Sequence, residues 1–244
     1  MTGFTFLCAA IALLAFAAPA RADWIFAGFV GGAATHTATL RIQQPALGSD
    51  FEAHDVAFAG RSFESPVYYG YRILWAGPRQ GRVGFEAELI HLKVYADGGA
   101  LVRVHGTIGA APIDRTMRFG EVVERFSISH GLNLLFGNLV LRQPIGAGAG
   151  PVQDRRVVLA VRLGAGPTIP HAESTIGGRT QEQYEWGRVA GQIAAGVEYR
   201  VTAHLAAIAE YKVTATRQRV AVPDGSASAS FTTQHAAAGI AWRP

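Results

Sequence analysis

Cysteine is nearly absent. Cys8 is the only one. It falls inside the first apolar run, so the rest of the chain has neither a disulfide framework nor thiolate chemistry. Charge is sparse as well: Asp, Glu, Lys and Arg make up 16 % of the residues, against about a quarter in ordinary soluble domains. The formal net charge is only +4, and no aromatic-basic pattern points to nucleic acid. After the N-terminus no apolar stretch reaches the roughly 20 residues that a spanning helix needs. Yet hydrophobic residues account for 49 % of the chain and glycine for 29 positions. A chain this apolar, with no spanning helix, must spread its apolar residues by alternation, as the strands of a membrane β-barrel do.

The beginning of the chain reads as a secretory signal over residues 1–22. Phe4 to Ala17 is apolar, and Ala20-Arg21-Ala22 gives an A-x-A cleavage site before Asp23. The n-region MTGF has no Lys or Arg, which leaves an N-terminal membrane anchor as the alternative. Residues 23–244 then form one unit, about 220 residues long, a size that suits one large β domain.

The hydrophobic period is two. In PVYYGYRILW, Val67, Tyr69, Tyr71, Ile73 and Trp75 share one face, with Gly70 and Arg72 on the other. In RVGFEAEL, Val83, Phe85, Ala87 and Leu89 oppose Gly84, Glu86 and Glu88. In RVVLAVRLGAG, Val157, Leu159, Val161 and Leu163 oppose Arg156, Ala160, Arg162 and Gly164. RVAGQIAAGVEYR repeats the pattern, with Val189, Ile193, Val197 and Tyr199 opposing Arg188, Gln192, Gly196, Glu198 and Arg200. Four further strands are predicted at 24–35, 126–142, 204–215 and 231–242. Ile208 interrupts the alternation of the third. A parity shift near Asn138 predicts a bulge there.

Eight strands imply an all-β, antiparallel, up-and-down transmembrane barrel. Long links at 36–65, 97–125, 168–186 and 216–230 alternate with short ones at 76–81, 143–155 and 200–203. The short turns and both ends belong on the periplasmic side. The glycines of GAGAGP open no helix and are not a nucleotide loop. An eight-stranded lumen is filled by side chains, so Arg72, Glu86, Glu88, Arg162, Arg188, Glu198, Glu210 and Lys212 are expected to pair inside it. Trp24, Trp75, Tyr199 and Trp242 fit a periplasmic aromatic girdle. The chain ends AWRP, with Trp242 two residues inside the position where barrels usually place an aromatic residue for the outer-membrane assembly machinery. A soluble lipocalin-type barrel is the architectural rival; it would put the charged face outside and the apolar face inside. A monomer is expected.

Three of the eight histidines sit near the outer ends of consecutive strands. His91 continues the parity of Leu89, His130 that of Leu132 and Leu134, and His171 that of Leu163 and Ala165. Period-two counting puts all three on the lipid-facing side, with Glu173 two residues beyond His171. Lys93, Glu185, His54, Asp55 and Glu64 could join them. Imidazoles and carboxylates can bind a divalent metal, exchange protons or grip phosphate. The spacing is long-range and matches no compact metal motif, so any cofactor stays unassigned. Interfacial histidines that bond only to loops and lipopolysaccharide are the bland alternative. No G-x-S-x-G elbow is present.

FEAHDVAFAGRSFESPVYYGYR, ELIHLKVYAD, RFSISHGLN, IPHAESTIGG, QYEWG and the EYK of the seventh strand together resemble a family of small outer-membrane barrels often described as lipid A oxidases. The resemblance covers about residues 24–242. It implies an eight-stranded barrel and oxygen-dependent oxidation of the proximal glucosamine of lipid A to an aminogluconate. It carries over no catalytic residue. His91, His130, His171 and Glu173 are therefore candidates from position alone, and lipopolysaccharide is the expected partner. A non-enzymatic barrel, structural or adhesive through its long outer loops, is the second reading. A pore is the third.

Overall fold

A computed structural model describes residues 23–77, 81–146 and 152–244. The expected signal, with Cys8, lies outside the described residues, as do parts of the links at 76–81 and 143–155. The strands in chain order are β1 (Asp23–Thr35), β2 (Ala38–Gln44), β3 (Ser49–Val56), β4 (Phe58–Ala59) and β5 (Tyr69–Ala76). Next come β6 (Val83–Ala96), β7 (Leu101–Ile108), β8 (Ala111–Arg118), β9 (Arg125–Ile145) and β10 (Val157–Gly166). The last are β11 (Thr168–Ile176), β12 (Arg179–Tyr184), β13 (Ala190–Arg200), β14 (Leu205–Val222) and β15 (Gly225–Trp242).

Eight of these close a ring. β1 pairs with β5 on one side and β15 on the other, and β6, β9, β10, β13 and β14 complete the circuit, every pair antiparallel. Closure leaves no free edge at membrane depth, which lipid demands. The outer surface carries Val30, Tyr71, Ile73, Phe85, Leu141, Leu159, Val161, Leu163, Ile193 and Ile240, all exposed. Water would not tolerate a continuous belt of this kind. The ring is a transmembrane β-barrel of the outer-membrane type, and the lipocalin arrangement is excluded. At the end that carries both termini, Phe26 and Trp242 lie 5.7 Å apart and Trp75 stacks on Phe85 at 6.1 Å. Trp24 pairs in register with Trp75, which gathers the aromatic residues expected for the periplasmic girdle at this end.

Charge fills the lumen. Arg72 and Arg162 reach Glu210 at 2.8 and 2.7 Å, and Lys212 reaches Glu88 and Glu210 at 2.6 and 2.9 Å. Arg162 also bonds Glu86, and Arg142 bonds Glu198 at 2.6 Å. Asn138 and Gln192 donate to the Glu86 and Glu88 carboxylates. Two expectations change here. Arg188 is exposed and outside this network, because β13 begins only at Ala190. Arg142 takes its place, so four cations face four carboxylates. Asn138 sits in unbroken register with both neighbours, opposite Glu86 and Gly164, so there is no bulge at that position. Ile208 faces inward too, beside Ile25, Ala27 and Ala241 at the periplasmic end of the lumen. Its break in alternation is an apolar floor under the ionic layer.

The four long outer links are largely strand. β2 pairs with β15, β3 with β2 and β7, and β7 with β8, so a sheet rises out of the ring and folds over its mouth. β11 and β12 form a second hairpin on the upper part of β9. The link expected at 216–230 is the continuation of β14 and β15 to a tight turn after Val222. This outer sheet encloses an apolar core that includes Leu40, Ile42, Phe51, Val102, Val104, Val220 and Phe231, each at most 2 % exposed.

Candidate functional site

The outer rim is distorted at one place. On β6, Leu92 and Val94 pair with Leu132 and Ile128 of β9, and on β11 Pro170 and Ala172 pair with the same two residues. Two residues on each neighbour therefore span four on β9, and Ser129-His130-Gly131 arches out as a bulge. Gly131 has φ +117°, and a Cβ there would stand 2.4 Å from the His91 ring. Both the backbone conformation and the space require glycine. Bulges re-aim side chains and collect beside functional sites. Here the bulge carries the His130 side chain outward, where it is 58 % exposed. Leu132 and Leu134, whose parity was expected to place His130, face the interior; its outward position comes from the bulge.

His171 meets it from β11. Pro170 and Ala172 are buried on the inner side, so His171 between them points outward, as its parity predicts. The His130 and His171 Nδ1 atoms are 3.2 Å apart, with the rings edge to face at 4.6 Å. Tyr184, opposite His171 in the β11–β12 register, covers its ring at 4.1 Å. Glu182 Oε1 lies 3.2 Å from His171 Nε2 and 3.8 Å from His130 Nδ1. Burial, reinforced by neighbouring His130, holds the His171 imidazole below its usual pKa against the opposing pull of Glu182 and Glu173. It is therefore neutral at neutral pH, with a nitrogen lone pair to offer.

Glu173 has a different partner. Its carboxylate accepts from Arg125 at 2.6 Å and from Ser129 Oγ at 3.3 Å. Ser129 Oγ also lies 3.3 Å from His130 Nδ1, so Glu173 braces the bulge, while Glu182 supplies the carboxylate beside the imidazoles. Sequence reasoning missed Glu182, although the signal was present. Gly177 and Gly178, both with positive φ, form a two-residue hairpin turn. That turn places residue 182 opposite 173 and residue 184 opposite 171. The turn is held by the Glu124 carboxylate, which accepts the Gly177 and Gly178 N–H groups at 3.0 and 3.1 Å. An Arg179–Asp224 ion pair adds to this anchoring.

His91 lies on the same outer side, one step nearer the membrane, but it is not part of the His130–His171–Glu182 group. Its ring stacks on Tyr69 at 4.9 Å. Asn133 Nδ2 donates to Ile169 O, so Asn133 Oδ1 accepts, and His91 Nδ1 donates to it at 2.9 Å. His91 Nε2 is buried and without a hydrogen-bond partner. Lys93, next along the face, donates to Glu64 O at 2.9 Å. His54 contacts Thr39 and Glu52, and Glu185 accepts the Ala221 N–H. His54 and Glu185 belong to other parts of the outer sheets, and none of these contacts joins them to the cluster; Asp55 lies on β3 beside His54, at the positive-φ end of that strand.

Height matters. A strand rising about 3.3 Å per residue and tilted about 40° climbs about 2.5 Å per residue. His171 lies 14 positions beyond Val157, which puts it about 35 Å above the periplasmic girdle, or about 10 Å above an apolar band about 25 Å tall. That is the level of lipid headgroups.

No family model matches the chain, and no curated protein matches its sequence. Several solved structures are similar over most of their length. Neisserial surface protein A is 8 % identical, covering 90 % of this chain and 96 % of that one, with a TM-score of 0.42. The outer membrane protein OprG from Pseudomonas aeruginosa is 11 % identical over 92 % and 96 %, with a TM-score of 0.45. The attachment invasion locus protein Ail of Yersinia pestis is 10 % identical over 91 % and 97 %, with a TM-score of 0.34. At these distances the likenesses carry no functional argument.

Proposed function

We propose that this barrel acts on the headgroup of the lipid beside it, oxidising the proximal glucosamine of lipid A in lipopolysaccharide. The observation that carries the reading is the outward position of His130, His171 and Glu182 at headgroup height. Side chains that served only to fill the barrel would point into the lumen, as the Arg72–Glu210 network does. A site for a soluble substrate would not need to face sideways above the apolar belt. The sequence resemblance supplies the substrate class. The reaction removes one hydrogen from the anomeric carbon and one from its hydroxyl. Two electrons and two protons pass to dioxygen, giving hydrogen peroxide, and water opens the resulting lactone to the aminogluconate. The imidazoles and carboxylates of the rim supply groups that can take the hydroxyl proton.

The test is mass spectrometry of lipid A from aerobically grown cells with and without the gene. The expected difference is the mass change of the aminogluconate, absent in cells that carry His130→Ala or His171→Ala while the barrel keeps its heat-modifiable gel mobility. Identical spectra with and without the gene would overturn the oxidase. The second reading would then stand: a structural or adhesive barrel whose outer sheet ends in β8, a strand paired on one side only.

A further inference from the structure

The geometry points to a divalent metal site built from His130, His171 and Glu182. Two imidazoles and one carboxylate converge there, with all donor atoms within 4.8 Å of one another. Imidazole nitrogen and carboxylate oxygen bind first-row ions at about 2.0–2.2 Å, which sets neighbouring tetrahedral ligands about 3.3–3.5 Å apart. His130 Nδ1 lies 3.2 Å from His171 Nδ1 and 3.8 Å from Glu182 Oε1, and Glu182 Oε1 lies 3.2 Å from the other His171 nitrogen, Nε2. With one nitrogen from each imidazole the three donors lie within 4.8 Å of one another, and a turn of the His171 ring or of the exposed Glu182 side chain closes them on an ion. Nitrogen donors favour a transition ion over calcium or magnesium, whose ligands are oxygens.

The surroundings support the assignment. The three ligands come from three strands, and the β9 bulge with its obligatory Gly131 brings His130 to the other two. The bulge and the His171 ring are each held by a neighbour. Ser129 Oγ donates to Glu173 and so holds the bulge that carries His130, and Tyr184 packs on the His171 ring. Three protein ligands leave coordination positions open for substrate or dioxygen. Two histidines and one carboxylate with open positions are the donor set of oxygen-using iron sites. When bound, such an ion supplies Lewis-acid polarisation of a sugar hydroxyl and a path for electrons to dioxygen. The site takes its role from the lipid-oxidation reading, but its existence is tested apart from it.

Without an ion the same atoms form a hydrogen-bonded chain, so binding itself is the measurement. Full-length folded protein in detergent is dialysed against Co(II), and bound cobalt and its visible absorption bands are recorded. The expected result is one cobalt ion per chain, lost in the His130→Ala/His171→Ala/Glu182→Gln variant and retained in His54→Ala. Glu182→Gln alone, at an exposed position, is expected to shift the absorption bands with the barrel still heat-modifiable. Failure of the wild type to bind cobalt, or equal binding by the triple variant, would overturn the site. Cobalt binding with unmodified lipid A would remove the oxidase and keep the metal site; oxidised lipid A without cobalt binding would do the reverse.

Discussion

On β14 the inward face begins with Ile208, runs through Glu210 and Lys212 in the lumen, and ends with Val220 and Val222 in the outer sheet. β6 does the same, from Glu86 and Glu88 to Ile90, Leu92 and Val94. Parity never changes along these strands; the chemistry does. Below the rim the outside is lipid, so apolar side chains go out, and the lumen takes the charges with the small residues that make room for them. Above the rim the outside is water. Arg217 and Arg219 are exposed on β14, and the core between the sheets is aliphatic and aromatic. Lumen and outer sheet thus answer two solvents with one strand pattern. The histidine cluster lies on the outer side near the height where they exchange.

Glu210 touches Arg72, Arg162 and Lys212 at 2.7 to 2.9 Å, all of them buried. Glu210→Gln strands three cations with one anion fewer. Breaking a buried ionic set by removing one partner costs about 3–5 kcal/mol. The expected result is a lower urea midpoint in heat-modifiable gel mobility, with unfolding of the whole ring. A midpoint unchanged from wild type would mean that the lumen is not held by its charges.

In the outer sheet the corresponding change is Ile42→Ala. Ile42 is fully buried, and such truncations cost about 2–4 kcal/mol through lost transfer energy and a cavity. Because β2 joins the ring only through a short pairing with β15, the loss is expected to stay local. Limited proteolysis should cut β2, β3, β7 and β8 sooner, while heat-modifiable mobility of the barrel persists. Global unfolding would show that the two regions are one cooperative unit.

How much of this was legible in the sequence follows from the same physics. Period-two alternation is a direct record of a two-faced strand, so the ring, its lumen charges and the outward parity of His91 and His171 could be read from residues alone. Arg188 was misplaced because alternation continues in the sequence before the pairing starts at Ala190. The bulge was sought at Asn138, yet it lies at Ser129–Gly131. Two extra residues preserve parity, so a bulge of that size is silent to period-two counting. LVRVHG and ATLRIQ alternate as well, yet they fall within stretches whose length reads as loop. Their long-range pairing partners, β15 and β3 among them, are not written locally. Glu182 needed one further inference, the register imposed by the Gly177-Gly178 turn.

The smallest expected effect sharpens the contrast between a buried and an exposed ion pair. Arg41 and Asp50 on β2 and β3 form a two-pronged contact at 2.9 and 2.8 Å with side chains nearly half exposed. The Arg41 hydrogen bonds hold the Asp50 carboxyl below its ordinary value of 3.8. A carboxyl whose folded pKa is depressed stabilises the fold above its unfolded pKa and loses that contribution as pH falls through the folded one. Solvent screening keeps an exposed pair below about 1 kcal/mol. Asp50→Asn is therefore expected to raise the proteolysis rate of the outer sheet only slightly at pH 7, with the difference shrinking as pH falls below 3.8 and as salt is added. A loss as large as that of Glu210→Gln, or one that grows on acidification, would erase the distinction between the charges the lumen depends on and those the outer sheet merely displays.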